Sequence, residues 1–280
     1  FGLVFSNQFR QLWVTDGTVS GTVEIALPDS LATTPTDLHA DPDGGRVFYV
    51  GDLGADSFGD EVFATDGTVA GTLFLGDVYP GPPGSSARFL ANLPNGLTLF
   101  TAIGGADGRQ LWSTLGFAGD AGLTRVIDPG GLPQSLSGTV FGHHFYFCAD
   151  DGVTGVELWR SDGTAAGTFM VADLNPSGDA DPCDLAVFGA HLYFGASDGI
   201  DSGLWRTDGT RSRTRMVRDI GFDYYSVKPF TAHHYSGNDR YSDWRSGRVE
   251  EIQSALMALD ALLAAQFPNG GFPQGWKGPA

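Results

Sequence analysis

At 280 residues the chain has room for one large all-β domain or for two domains. Its 33 acidic and 16 basic residues give a net charge of −17, a surface that repels phosphate backbones and anionic lipid and so argues against nucleic acid and membranes as partners. Forty-one glycines among plentiful Val, Leu, Phe and Tyr describe Gly-rich turns between short apolar runs, and no such run approaches the ~18 residues of a membrane helix.

From the N-terminus the chain rewrites one phrase. Gln11-Leu12-Trp13-Val14-Thr15-Asp16-Gly17-Thr18, closed by Gly21-Thr22, is the first copy. Glu61-Val62-Phe63-Ala64-Thr65-Asp66-Gly67-Thr68, closed by Gly71-Thr72, is the second, and Gln110-Leu111-Trp112-Ser113-Thr114-Leu115-Gly116 is a degraded third. The fourth runs from Glu157-Leu158-Trp159-Arg160-Ser161-Asp162-Gly163-Thr164 to Gly167-Thr168. The fifth is Gly203-Leu204-Trp205-Arg206-Thr207-Asp208-Gly209-Thr210, with Arg213-Thr214 in place of Gly-Thr. The aromatic positions 13, 63, 112, 159 and 205 are spaced by 50, 49, 47 and 46 residues. A self-similar period of this length means stacked supersecondary units, none able to bury its apolar surface alone.

Each unit reads as four antiparallel strands. In residues 183–221 a strand from Cys183 to Phe188 turns at Gly189-Ala190 into His191–Ala196. An Asp/Gly loop leads to a third strand around Trp205, and Asp208-Gly209 turns the chain into a fourth, Thr214–Ile220. The same reading fits 36–77, 87–127 and 135–173, while the copy at 2–27 lacks its first strand. The third copy takes 12 residues from Trp112 to Thr124 where the others take 9, so its last loop is three residues longer. Four strands per ~47 residues predict a propeller-like array of about five blades.

The motif resembles the ELWxTDGTxxGT repeats of large secreted bacterial proteins, a likeness covering residues 1–221. It implies an extracellular or cell-surface location and a repeat module whose partners are a polysaccharide or another extracellular protein. The sequence starts at Phe1 in mid-repeat without Met and reads as a fragment that a targeting segment would precede. A monomer is expected.

Past Ile220 the pattern stops, and residues 222–280 read as a linker followed by one amphipathic helix, Arg248–Gln266, with Ile252, Leu256, Leu259 and Leu263 on one face. Pro268 ends that helix. The run Gln266-Phe267-Pro268-Asn269-Gly270-Gly271-Phe272-Pro273-Gln274 resembles a motif of the family-ten pectate lyases, with Phe272 where Trp is more usual. A broader Gln-x3-Gly-x-aromatic pattern also occurs in other α/α toroids, including terpene cyclases. The resemblance implies the start of an α/α-toroid-like domain and, in the parent protein, Ca2+-dependent β-elimination. It carries no catalytic residue onto this chain.

Candidate residues each have a plain structural reading beside the functional one. Trp13, Phe63, Trp112, Trp159 and Trp205 are expected as repeat core between blades, with sugar stacking as the alternative. Asp16-Gly17, Asp66-Gly67, Asp162-Gly163 and Asp208-Gly209 are expected as turns. The acidic loops, with Asp150 and Asp151 and with Asp198 and Asp201, either cap turns or bind Ca2+, the one cofactor the sequence leaves open; none is required. Metal binding by His39, His143-His144, His191 or His233-His234 has no ligand spacing to support it. Cys148 and Cys183 either pair between blades or remain buried thiols. No Gly-x-Ser-x-Gly, phosphate loop or His-Glu-x-x-His occurs, so no catalytic residue is assigned. Three functions remain in view: a binding or spacing module, the N-terminal portion of an extracellular polysaccharide lyase, and a propeller enzyme with a central-channel site.

Overall fold

The computed structural model describes residues 2–3, 12–26, 35–41, 43, 45–52, 59–81, 83–133 and 136–219. The helix expected at 248–266 and the motif Gln266, Asn269, Gly270, Gly271, Phe272 and Pro273 lie outside them. The chain divides into two compact units, Phe1–Asp179 and Ala180–Ala280. The boundary expected at 221/222 falls beyond Asp219, the last described residue.

The described residues are all-β. The first unit opens with a three-stranded sheet, β1 (Gly2–Leu3), β2 (Trp13–Thr15) and β3 (Val23–Glu24). The second sheet is β4 (Thr36–Asp41), β5 (Arg46–Asp52), β6 (Asp60–Thr65) and β7 (Leu73–Gly76). The third is β8 (Arg88–Asn92), β9 (Thr98–Ile103), β10 (Arg109–Thr114) and β11 (Gly122–Arg125). The fourth is β12 (Gly138–Phe141), β13 (His144–Asp150), β14 (Val156–Ser161) and β15 (Phe169–Ala172). The second unit holds the fifth sheet, β16 (Cys183–Phe188), β17 (His191–Ser197), β18 (Ser202–Thr207) and β19 (Arg215–Asp219). Every sheet is an antiparallel meander in chain order, the arrangement expected of a blade.

The middle strands explain why the sequence shows runs rather than alternation. Val47-Phe48-Tyr49-Val50 in β5 and Val62-Phe63-Ala64 in β6 are buried throughout, so both faces of these strands meet protein. Outer strands alternate or face water, as in β19, where four of five residues are exposed. In the second to fifth sheets the register between third and fourth strands shifts immediately before the repeat aromatic: Val62/Phe63, Leu111/Trp112, Leu158/Trp159 and Leu204/Trp205. Such a bulge bends the strand and re-aims the side chain that follows it. That aromatic lies opposite a second-strand ring in each case: Tyr49–Phe63, Phe100–Trp112, Phe147–Trp159 and Phe194–Trp205. Three of these pairs are stacked, at 5.2, 6.4 and 6.5 Å between ring centroids.

Within the first unit, apolar clusters join successive sheets. Phe63 shares a cluster with Leu12 and Ile25 of the first copy, and Trp112 packs against a cluster that includes Val50, Val62, Leu75 and Val78 of the second repeat. Trp159 shares a cluster with Leu93, Leu111 and Ile127 of the third repeat. Phe63, Trp159 and Trp205 are buried, whereas Trp13 and Trp112 are half-buried.

Candidate functional site

The recurring phrase builds a closed hydrogen-bond knot. In the fourth sheet, Asp162 Oδ1 accepts from the Thr164 N–H at 2.9 Å and from the Thr164 hydroxyl at 2.7 Å. The Thr164 hydroxyl in turn accepts from the Gly167 N–H at 3.0 Å. The Thr168 hydroxyl donates to Thr164 O at 2.7 Å and pairs with the Ser161 hydroxyl at 2.7 Å. Gly163 sits at φ +86, in the left-handed region, and a Cβ on Gly167 would stand 2.0 Å from the Asp162 carboxylate. The knot recurs around Asp16 and Asp66, so Gly17 and Gly67 close the same turn. Hydrogen bonds to Thr18, Thr68 and Thr210 lead the forces that hold the carboxyls of Asp16, Asp66 and Asp208 below the ordinary value.

The third copy lost its Asp and found another. Asp120, across the longer loop, accepts from the Thr114 hydroxyl and from the Leu115 N–H at 2.8 Å. The Gly116 N–H still bonds the Thr114 hydroxyl at 2.9 Å, so the turn closes as elsewhere.

The first residue of the phrase has a role that its spacing concealed. Glu61 and Glu157 are fully buried, and each accepts two backbone N–H groups from the segment leaving its sheet. These come from Val78 at 3.0 Å and Tyr79 at 3.3 Å, and from Leu174 at 2.9 Å and Asn175 at 3.2 Å. Gln110 makes the neutral version, accepting from Ile127 N–H at 2.9 Å and donating its amide to Asp107 O and Asp128 O. Burial pushes both glutamates up to about 7 against their backbone hydrogen bonds, and the charges of Asp77 and Asp173 add to the rise. Asp77 Oδ1 and Asp173 Oδ1 are buried without a hydrogen-bond partner.

The acidic loops are occupied by their own backbone. Asp150 Oδ1 accepts from the Gly152 N–H at 2.7 Å. Asp151 Oδ1 accepts from the N–H groups of Val153 and Thr154 and from the Thr154 hydroxyl. Asp198 Oδ1 holds the N–H groups of Ile200 and Asp201 at 2.9 and 2.7 Å. Among the described residues no three His, Cys, Asp or Glu side chains gather as a metal-holding group. Cys148 and Cys183 are both half-buried, with Cys183 Sγ 3.7 Å from Gly195 O.

A concave site occurs on the fifth sheet. A pocket of about 290 Å³ is lined by His191, Arg206, Ser212, Arg213 and Arg215. Arg206 and Arg215 are direct cross-strand partners on β18 and β19, and Arg213 leaves the short 3-10 turn Arg211–Arg213 that follows Thr210. Burial, then the Arg206 guanidinium, hold the His191 imidazole below its usual pKa, with Asp208 opposing and Arg213 and Arg215 reinforcing the shift.

Among the described residues, fold and turn chemistry together define repeats of one three-stranded and four four-stranded antiparallel sheets, each with its last turn closed by side-chain hydrogen bonds. No family model matches the chain. No curated protein matches it. Solved structures similar to it include a putative TolB from Agrobacterium tumefaciens, at 11% identity over 75% of this chain and 74% of that one, with a TM-score of 0.41. TolB from Acinetobacter baumannii matches at 14% identity over 76% and 49% of the two chains, TM-score 0.39. Prolyl oligopeptidase B from Galerina marginata matches at 12% identity over 76% and 34%, TM-score 0.45.

Proposed function

We propose that the repeats form a non-catalytic, propeller-like module that binds or spaces, in an acidic extracellular or cell-surface protein. The supporting observation is the knot itself: the Asp and Thr side chains that recur in the phrase are engaged inside their own sheet, as are the buried glutamates. A recurring catalytic carboxylate would need a face turned to substrate, and Glu61 and Glu157 are fully buried instead. Partners are then a polysaccharide or another extracellular protein, met through residues that differ between copies. The reading requires no cofactor.

A second reading rests on the sequence from Gln266 to Gln274, which resembles a family-ten pectate lyase motif. On that reading the chain is the N-terminal portion of a polysaccharide lyase. The proton beside a uronate carboxylate is removed by a base, with a cation neutralising the carboxylate. Incubating this chain with polygalacturonate and Ca2+ and following the ultraviolet absorbance of unsaturated product tests the first reading. No turnover is expected, and clear turnover would overturn the non-catalytic assignment.

A further inference from the structure

We infer that the fifth sheet carries a binding pocket for a small phosphate-type oxyanion, lined by His191, Arg206, Ser212, Arg213 and Arg215. The inference rests on the reading of the repeats as a binding module and supplies a ligand class for it.

The other copies show what these positions ordinarily hold. The residue after the repeat aromatic pairs across to the fourth strand as Ala64–Leu73, Ser113–Gly122 and Arg160–Phe169. In the fourth sheet the Arg160 guanidinium lies 4.4 Å from the centroid of the Phe169 ring, a cation–π contact within its own sheet. The fifth sheet keeps the arginine and replaces the ring: Arg206 faces Arg215. Like charges directly opposite on a sheet are destabilising unless something neutralises them.

A second departure lands in the same place. The closing Gly of the phrase, Gly167 in the fourth sheet, becomes Arg213 in the fifth. A Cβ at Gly167 would strike the Asp162 carboxylate, whereas Arg213 instead reaches its own Asp208, at 3.1 Å, with its side chain 76% exposed. Both departures therefore deliver guanidinium groups to one pocket. Five of the chain's 16 basic residues, Arg206, Arg211, Arg213, Arg215 and Arg218, fall within thirteen positions of a molecule carrying −17.

Charge and size set the ligand. Three guanidinium groups less the Asp208 carboxylate leave about two positive charges at the pocket, which matches a dianionic tetrahedral group better than a single carboxylate. A volume of about 290 Å³ admits one such group with a small substituent. A long polyanion would leave the pocket and meet the acidic surface, so the occupant is small. Ser212 adds a neutral hydroxyl to the lining.

The test is a titration of the full chain with inorganic phosphate, sulfate and acetate, each against chloride at matched ionic strength, followed by calorimetry and by the His191 imidazole resonances. Saturable binding of phosphate and sulfate is expected, with acetate weaker, and bound phosphate should raise the His191 pKa because it offsets Arg206, Arg213 and Arg215. Arg215→Phe and Arg213→Gly restore the residues of the fourth sheet, so both should fold, and each should weaken phosphate binding by roughly tenfold or more. Wild-type binding no stronger than chloride, or unchanged affinity in both variants, would overturn the inference while leaving the non-catalytic reading in place. Acetate binding as tight as phosphate would overturn the dianion assignment.

Discussion

The fourth and fifth sheets share a frame and differ in what they do with charge. Both place an aromatic after a bulge, an arginine next to it, and an Asp-Gly turn after that. In the fourth sheet the arginine rests on Phe169 and the turn closes around Gly167. In the fifth, Arg215 and Arg213 occupy those two positions and open a basic pocket. The lesson is that the recurring residues hold the sheet and the departures are where a copy acquires properties of its own.

The frame side of this comparison breaks most visibly at the repeat aromatic. Trp159→Ala should lose about 3–5 kcal/mol, because a buried ring packed against Leu93, Leu111 and Ile127 leaves a cavity. Guanidinium unfolding measures it. The Trp159 indole N–H is buried without a partner, so Trp159→Phe should recover most of the loss by keeping a ring and removing an orphan donor.

Next comes the pair of buried glutamates. Their native pKa of about 7 stands above the unfolded value of about 4.3. The native state thus holds protons that the unfolded chain releases, so the stabilising contribution of these two glutamates should fall as pH rises from about 4.3 through 7, while His144 and His191, whose pKa values are lowered on folding, act in the opposite direction. The sum for each glutamate is on the order of 3 kcal/mol. Glu61→Gln with Glu157→Gln should flatten this slope, as Gln110 already does in the third sheet. Denaturant midpoints between pH 5 and 8 check it, and parallel pH profiles for variant and wild type would refute it.

The smallest effect belongs to the turn. Asp162→Ala removes the acceptor of the Thr164 N–H and hydroxyl and should cost about 0.5–2 kcal/mol, as loss of a local cap does. A loss equal to that of Trp159→Ala would mean that the ring is less buried in solution than its position implies.

Much of the fold was legible because the repeat is written in side chains that set local geometry. Asp-Gly pairs, an aromatic every 46 to 50 residues and apolar runs around it were enough to mark four four-stranded sheets and one of three strands. The degraded third copy was legible as an irregular loop, but Asp120 as the replacement cap was not, since its partner Thr114 is reached only once the loop folds back. The glutamate hooks were hidden for a related reason. Their partners are backbone N–H groups 17 residues on, which carry no side-chain signature. A trace did exist in the sequence. Where the hook is Glu61 or Glu157, the residue before its bonded N–H is Asp77 or Asp173; where it is Gln110, that residue is Val126. Arg213 in place of Gly was visible in the sequence, but a pocket was not: the strand register pairs Arg206 with Arg215, and only the folded turn brings Arg213 beside them.

The division between frame and departure is tested most directly by unfolding Glu157→Ala and Arg215→Phe side by side at pH 7. Glu157→Ala strands the buried N–H groups of Leu174 and Asn175, and each such group costs about 1–3 kcal/mol, so its midpoint should fall clearly below wild type. Arg215→Phe removes a like-charge pair and gives Arg206 the ring that Arg160 has, so its midpoint should equal or exceed wild type. A silent Glu157→Ala together with an Arg215→Phe variant that unfolds easily would contradict the account.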